Sequence, residues 1–308
     1  IKLNKYKSGI VSTLYAIYKV NIKKALGEFL DYYFSLNANT NRYLRPLVRK
    51  GAKNDMKINN EYVLNDKIYF PSLPEQKKIV SFLTSVEGKL NQLIKKKELL
   101  EQYKKGMKQK IFSQDLRFKD DNGNMYPDWE EKRIGDVFEE RNEKNFIDME
   151  LLSVSIEKGI FPQSESIKKD NSNTDKSKYK RVLKGDIAYN SMRMWQGASA
   201  VSNQNGIISP AYTVLKSNDY NNSLFFGYLF KMTFMIQLFQ KYSQGMTSDT
   251  WNLKYHMISP IKIIVPHLNE QKKIAKFLSA IDNKIDLVST QIKNTKTFKK
   301  GLLQQMFV

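Results

Sequence analysis

The chain has 308 residues, enough for about two globular units at roughly 100 to 200 residues each. Lys and Arg number 51 against 31 Asp and Glu, a net charge of +20 that points to a polyanionic partner, while 41% hydrophobic and 12% aromatic residues exclude a disordered basic tail. Cysteine is absent and His256 and His267 are the imidazoles, which excludes disulfide frameworks, thiolate zinc sites and zinc fingers.

The opening residues 1–10 lack the charged-then-apolar pattern of a signal segment, and the reading is cytoplasmic. Within residues 1–74, a polar and basic stretch at 49–57 contains Lys50, Lys53, Asn54 and Lys57. Residues 75–113 read as one long helix. Ile79, Val86, Leu93, Leu100 and Met107 lie seven apart, and Leu83, Leu90 and Ile111 fall on the companion position, which Lys97 and Lys104 interrupt. Residues 114–127 are polar, with Asp-Asn-Gly turn chemistry, and read as a linker.

From residue 128 the pattern turns mixed. Residues 181–183, 185–189, 211–215 and 261–265 suit strands, whereas 139–144 and 223–242 suit helices. The apolar run 224–239 is too short for a bilayer span and has Lys231 in its middle, so it reads as a core helix. Residues 163–180, rich in Ser, Asn and Lys, read as a solvated loop. A last helix covers 268–308, with Ile274, Ile281, Val288 and Leu302 on one line and Leu278, Ile285, Ile292 and Met306 on the other. Thr295 and Lys299 are the exceptions.

The two helical segments are copies. Glu75-Gln76-Lys77-Lys78-Ile79 recurs as Glu270-Gln271-Lys272-Lys273-Ile274, an offset of 195 that also relates Phe82-Leu83 to Phe277-Leu278 and Lys104-Lys105-Gly106 to Lys299-Lys300-Gly301. Upstream, Gly9-Ile10-Val11-Ser12 and Tyr15 match Gly206-Ile207-Ile208-Ser209 and Tyr212, Tyr32 and Phe34 match Tyr228 and Phe230, and Pro71 matches Pro266. The counterpart of residues 127–197 is missing from the first copy. A helix of this length spans roughly 58 Å at about 1.5 Å per residue. Two matched seams favour an intramolecular antiparallel pair that holds two domains apart with approximate two-fold symmetry. The alternative is two independent amphipathic helices.

Base reading needs Arg, Asn, Gln, Ser or Thr at groove edges, and lysines for phosphates. In the complete copy the candidates are Lys180 and Arg181, then Asn190, Ser191, Arg193, Trp195 and Gln196 just after a strand, and Ser243, Gln244, Thr247, Ser248, Asn252 and Lys254 in a polar loop. The rival assignment makes Met192, Met194, Trp195 and Trp251 core residues and the polar ones turn caps. Glu75 and Glu270 read as first-turn residues favoured by the helix dipole. Catalytic patterns are missing: there is no G-x-x-x-x-G-K-[ST] phosphate loop, no glycine-rich cofactor loop and no Asn-Pro-Pro-aromatic motif. Asp128 and Glu130 lie too close together for a Mg²⁺-nuclease hairpin.

Taken in order, Pro127-Asp128-Trp129, Arg133-Ile134-Gly135-Asp136-Val137-Phe138, Lys184-Gly185-Asp186-Ile187, residues 191–198, Gly206-Ile207-Ile208-Ser209-Pro210-Ala211-Tyr212 and the duplicated Glu-Gln-Lys-Lys-Ile resemble the specificity subunit of a type I DNA restriction-modification enzyme. The resemblance implies an α+β chain of mixed α/β target-recognition domains separated by two long antiparallel coiled-coil helices. Its parts would be half of a first recognition domain (1–74), a spacer helix (75–113), a linker (114–127), a second recognition domain (128–267) and a second spacer helix (268–308). It implies a non-catalytic subunit, without cofactor or metal, that binds a bipartite double-stranded DNA target. Two methyltransferase subunits and, through them, restriction-translocase subunits would be its partners. Either the chain starts inside a domain, or the front half of that domain is supplied by another chain. The rival function is a coiled-coil interaction scaffold without sequence-specific DNA binding.

Overall fold

The computed structural model describes residues 1–308 apart from 6–7, 13–14, 51–55, 59, 66, 157, 167–171, 248–249 and 308, and describes only the backbone at 49, 50, 56, 57 and 60. In chain order come α1 (Gly27–Ser35), α2 (Asn37–Leu44), β1 (Val48–Lys50), β2 (Met56–Ile58), α3 (Asn60–Asn65) and α4 (Leu73–Phe112). Next are β3 (Glu130–Arg133), α5 (Ile134–Val137), β4 (Phe138–Glu140), β5 (Leu151–Ser155), β6 (Gly159–Pro162), β7 (Lys180–Val182) and β8 (Ile187–Asn190). The chain continues through β9 (Ser199–Val201), β10 (Gly206–Ile208), β11 (Tyr212–Ser217), α6 (Ser223–Leu229), α7 (Thr233–Tyr242), α8 (Tyr255–Ile258), β12 (Lys262–Val265) and α9 (Leu268–Phe307). It is a mixed helix-and-sheet chain. The two long helices have 40 residues each, and the division into compact units runs through both of them: unit 1 is Ile1–Glu101 with Asn283–Val308, and unit 2 is Gln102–Asp282.

In unit 1 the spacing of α1 places Phe29 and Tyr32 on one face, where they bury with Leu83 of α4 and Phe307 of α9. Leu302 and Leu303 pack against the same cluster. Glu87 accepts the Tyr32 hydroxyl at 3.0 Å and pairs with Lys299. Gln76 is fully buried because its amide is fully used: Oε1 accepts the Leu26 N–H at 2.9 Å, and Nε2 donates to the carbonyls of Pro71 at 2.8 Å and Lys24 at 3.1 Å.

Unit 2 repeats these arrangements with its own residues. Gln271 accepts the Asn222 N–H at 2.8 Å and donates to the Pro266 carbonyl at 2.9 Å. Asp282 accepts the Tyr228 hydroxyl at 2.7 Å and pairs with Lys104. The rest of the unit is built on two four-stranded sheets, in orders β6-β5-β10-β7 and β4-β11-β8-β9. β5 and β10 run parallel and the other neighbours antiparallel. Leu152, Ile160, Val182 and Ile208 from the first sheet meet Ala188 and Val214 from the second in a shared core. Gly206 opens β10 where an added Cβ would lie 2.5 Å from the Glu150 carbonyl oxygen, so glycine is required for the strand to approach. Asp186, buried, accepts from Arg141 Nε at 2.7 Å and from the Leu183 N–H at 2.8 Å, which pins the turn into β8. β12 pairs antiparallel with β3 in a separate ribbon.

Two expectations fail. Residues 139–144 do not form a helix: Phe138 is buried, Glu139 exposed and Glu140 half-buried, the period of a strand, and β4 pairs with β11. The acid-rich run masked that alternation. Residues 223–242 form two helices, not one. Asn222 caps α6 through the Phe225 N–H at 3.1 Å, and Met232 takes an extended conformation before α7. The break lets Lys231 turn inward and donate to the Gly197 carbonyl.

Candidate nucleic-acid interface

Asn190 ends β8, and its Oδ1 accepts the Met192 N–H at 3.0 Å, so the chain turns sharply out of the sheet. Met194 plugs the turn into the core while Arg193 and Gln196, on either side of the half-buried Trp195, are exposed. Gly197 closes the turn at φ +79°, a left-handed conformation that a side chain would strain, with Ile236 3.3 Å from where a Cβ would stand.

The second loop leaves α7 with Ser243, whose hydroxyl donates to the Phe239 carbonyl at 2.7 Å. Gln244 and Asn252 exchange backbone hydrogen bonds at 3.0 and 2.8 Å, and Met246 between them is fully open to solvent. The two loops, some fifty residues apart in sequence, are joined. The Leu253 N–H donates to the Ser191 carbonyl at 2.9 Å, and the indoles of Trp195 and Trp251 meet edge to face at 5.2 Å. Arg193, Gln196, Gln244, Thr247, Thr250 and Lys254 are the exposed polar side chains among the described residues of this pair of loops.

Other expected readers are placed differently. The Ser191 hydroxyl is buried against Thr213 Oγ1 at 3.0 Å and does not reach the surface. Lys180 is drawn in, held by Glu140 at 3.1 Å and the Tyr212 carbonyl at 2.9 Å, with 12% of its side chain exposed. Arg181 pairs with Glu143 at 2.9 Å and lies over the Phe146 ring at 4.4 Å. Both cations neutralise acids that a charge sum does not locate. Asn190, Ser243 and Asn252 are half-buried turn residues. Lys53, Asn54 and Ser248 lie outside the described residues, as do the side chains of Lys50 and Lys57.

On the long helices, Leu83, Leu93, Ile274, Leu278, Ile281 and Val288 are buried, while Ile79, Val86, Leu90, Leu100, Ile285 and Ile292 are half-buried. Glu270 lies in the first turn of α9, as expected, and is in addition fully buried, bonded by Arg117 Nη2 at 2.8 Å and by the Trp129 indole N–H at 3.2 Å. Glu75, its counterpart, is exposed. Arg117 in the polar linker and Trp129 in the Pro-Asp-Trp segment were the available signal, but their convergence needs the fold. Burial, reinforced by Lys108, pushes the Lys231 ammonium down to about 8. Among the described residues no group of three or more acids or histidines could hold a metal, and no helix is long and apolar enough to cross a membrane.

The model for the type I restriction modification DNA specificity domain matches residues 2–102 and 126–296. The chain belongs to that family. The type I restriction enzyme MjaVIII specificity subunit of Methanocaldococcus jannaschii is 26% identical over 96% of this chain and 73% of its own length. The MjaX protein of the same organism, whose name places it in the same subunit class, is 25% identical over 83% of this chain. This family member spans 62% of that relative's length. The crystal structure of a type I restriction-modification system S subunit from M. genitalium has the same fold, with a TM-score of 0.58 at 16% identity over 94% of this chain and 74% of the other.

Proposed function

We propose that the chain is a non-catalytic DNA-recognition subunit of a type I restriction-modification complex. The observation that carries this reading, beyond family membership, is the junction of residues 190–197 with residues 243–254. The two joined loops expose an arginine, two glutamines, two threonines, a lysine and a methionine, and their Trp pair is in contact. Arg193, Gln196 and Gln244 have the donors for base edges, and Lys254 suits a phosphate. Unit 2 thus reads one half of a bipartite duplex target.

In this proposal α4 and α9 pair antiparallel as a coiled-coil spacer, and the units are related by a pseudo-two-fold repeat. The matched pairs Glu87 with Lys299 and Asp282 with Lys104 support it, because each joins an acid of one copy to the equivalent lysine of the other. The helices dock two methyltransferase subunits, which bring the restriction subunits. The protein works in the cytoplasm. A stiff spacer between two modest readers raises the effective concentration of the second once the first is bound.

Selection of bound duplexes from a random pool, with the methyltransferase partner present, tests the reading. An enriched motif supports it, and recovery of the input composition refutes it in favour of an interaction scaffold.

A further inference from the structure

The turn that carries Arg193 and Gln196 is closed by main-chain bonds that converge on residues 197 and 198. The Gly197 N–H donates to the Met194 carbonyl at 2.8 Å, and the Arg193 carbonyl accepts the N–H groups of Gln196 at 2.9 Å and Ala198 at 3.2 Å. A shift of residue 197 is therefore passed to Arg193. The Gly197 carbonyl in turn accepts the Ser199 N–H at 2.8 Å and the ammonium of Lys231, which reaches it from the junction of α6 and α7. The lysine stem runs beside the turn, with its Cδ 3.9 Å from where a Cβ at 197 would stand.

Lys231 opposes stability where it stands. It is half-buried, its ammonium is held down to about 8 by burial and then by Lys108 of α4, and among the described residues neither lysine forms an ion pair. The duplicated fold does not ask for either charge. At the offset of 196 that relates Tyr32 to Tyr228, the match of Lys231 is Ser35. At the offset of 195 the match of Lys108 is Leu303, which packs against the apolar cluster of unit 1. A methionine has nearly the reach of a lysine without the charge, and the Gly197 carbonyl would keep the Ser199 N–H. A charged donor kept against stability at the foot of a base-reading turn marks a place where local rules yield to function.

We propose that Lys231 is a positioning residue for base reading: its ammonium, bonded to the Gly197 carbonyl, holds the 190–197 turn in the pose that presents Arg193 and Gln196 to a base edge. The inference rests on the reading of that turn as a DNA-contacting segment, and adds to it a residue that touches no DNA. A reader works only when its supports hold it to within about 0.5 Å of the productive geometry. Releasing the turn therefore lowers selectivity, while phosphate contacts elsewhere on the unit keep their share of the affinity.

The experiment compares the native chain with Lys231→Met and Lys231→Arg, each with the methyltransferase partner. The duplexes are the half-site selected by the native chain and versions of it changed at one base. Lys231→Met should lose at least about fivefold in discrimination at the base that Arg193→Ala also relaxes, the lower end of what a bidentate contact supplies. Its melting temperature at pH 7 should be no lower than that of the native chain, because a desolvated charge has gone. The slope of log affinity against log salt should stay as it was, whereas loss of a phosphate contact would reduce it by about 1. Lys231→Arg keeps a charged donor and should discriminate better than Lys231→Met. Without DNA, amide exchange at residues 193–198 should quicken in Lys231→Met. Undiminished discrimination, a lower melting temperature, a slope reduced by about 1, an arginine variant no better than the methionine one, or unchanged exchange at 193–198 would each overturn the inference. A native chain that selects no half-site sinks the recognition reading and this inference with it. A native half-site read equally well by Lys231→Met sinks this inference alone.

Discussion

Arg117 reaches Glu270 with two nitrogens, Nη2 at 2.8 Å from Oε2 and Nε at 3.3 Å from Oε1, and ties the segment after α4 to the head of α9. Glu270 is fully buried and Arg117 is 12% exposed, so the pair is largely removed from water. Removing Glu270 leaves Arg117 with the exposed Asp128 at 3.2 Å and two main-chain carbonyls and takes the acceptor from the Trp129 indole, which costs about 1 to 3 kcal/mol. Glu270→Ala should lower the stability of unit 2 by that order in urea unfolding. Glu75→Ala, at the matching but exposed position, should change stability by no more than about 0.5 kcal/mol. Equal effects at the two positions would contradict the asymmetry between the units.

Matched tyrosine–acid–lysine sets should respond alike. Asp282 holds the Tyr228 hydroxyl and Lys104, and the buried hydroxyl is driven well above its usual range by burial and then by Asp282. Asp282→Ala should cost about 1 to 3 kcal/mol through the lost charged hydrogen bond. Glu87→Ala should do the same in unit 1, where the acid is lowered by Lys299 against the opposing effect of burial. Amide exchange read locally, in α6 for the first variant and α1 for the second, separates the two effects.

Lys231 gives a pH signature. Its native value of about 8 lies below the ordinary lysine value, so between roughly pH 8 and 10.5 the unfolded chain binds more protons than the folded one. Stability attributable to this group therefore rises with pH across that window, and its penalty is complete below it. Lys231→Met should flatten the rise: the difference in melting temperature between the native chain and the variant should grow in favour of the native chain from pH 8 to 10. A constant difference would show that the ammonium is not desolvated.

The long helices were legible because a seven-residue period held at five successive positions, Ile79 to Met107, has no competing interpretation, and Ile79, Leu83, Ile274 and Leu278 duly lie inward. Strands at 181–183 and 211–215 were also visible, from short β-rich alternation. Residues 139–144 were misread because acidic residues suit helices by propensity while the partner strand β11 decides the conformation. Lys180 was misplaced for a related reason: a lysine in a charged stretch looks solvated until the fold brings Glu140 and the Tyr212 carbonyl to it. Of the expected readers, Arg193, Gln196, Gln244, Thr247 and Lys254 are exposed, but the Leu253–Ser191 bond that joins their two loops is announced by no local pattern.

Salt should separate positioning contacts from reading contacts. Lys254→Ala is expected to weaken binding to all duplexes and to reduce the slope of log affinity against log salt by about 1, leaving the preferred sequence intact. An unchanged slope would remove Lys254 from the phosphate contacts.

Arg193 carries the most direct test of DNA reading by unit 2. With the methyltransferase partner present, the native chain should enrich a defined half-site from a random duplex pool, and Arg193→Ala should lose about 1 to 3 kcal/mol of discrimination at one base position while the rest of the motif stays. A native chain that enriches no motif, or an Arg193→Ala motif identical at every position, would contradict the account.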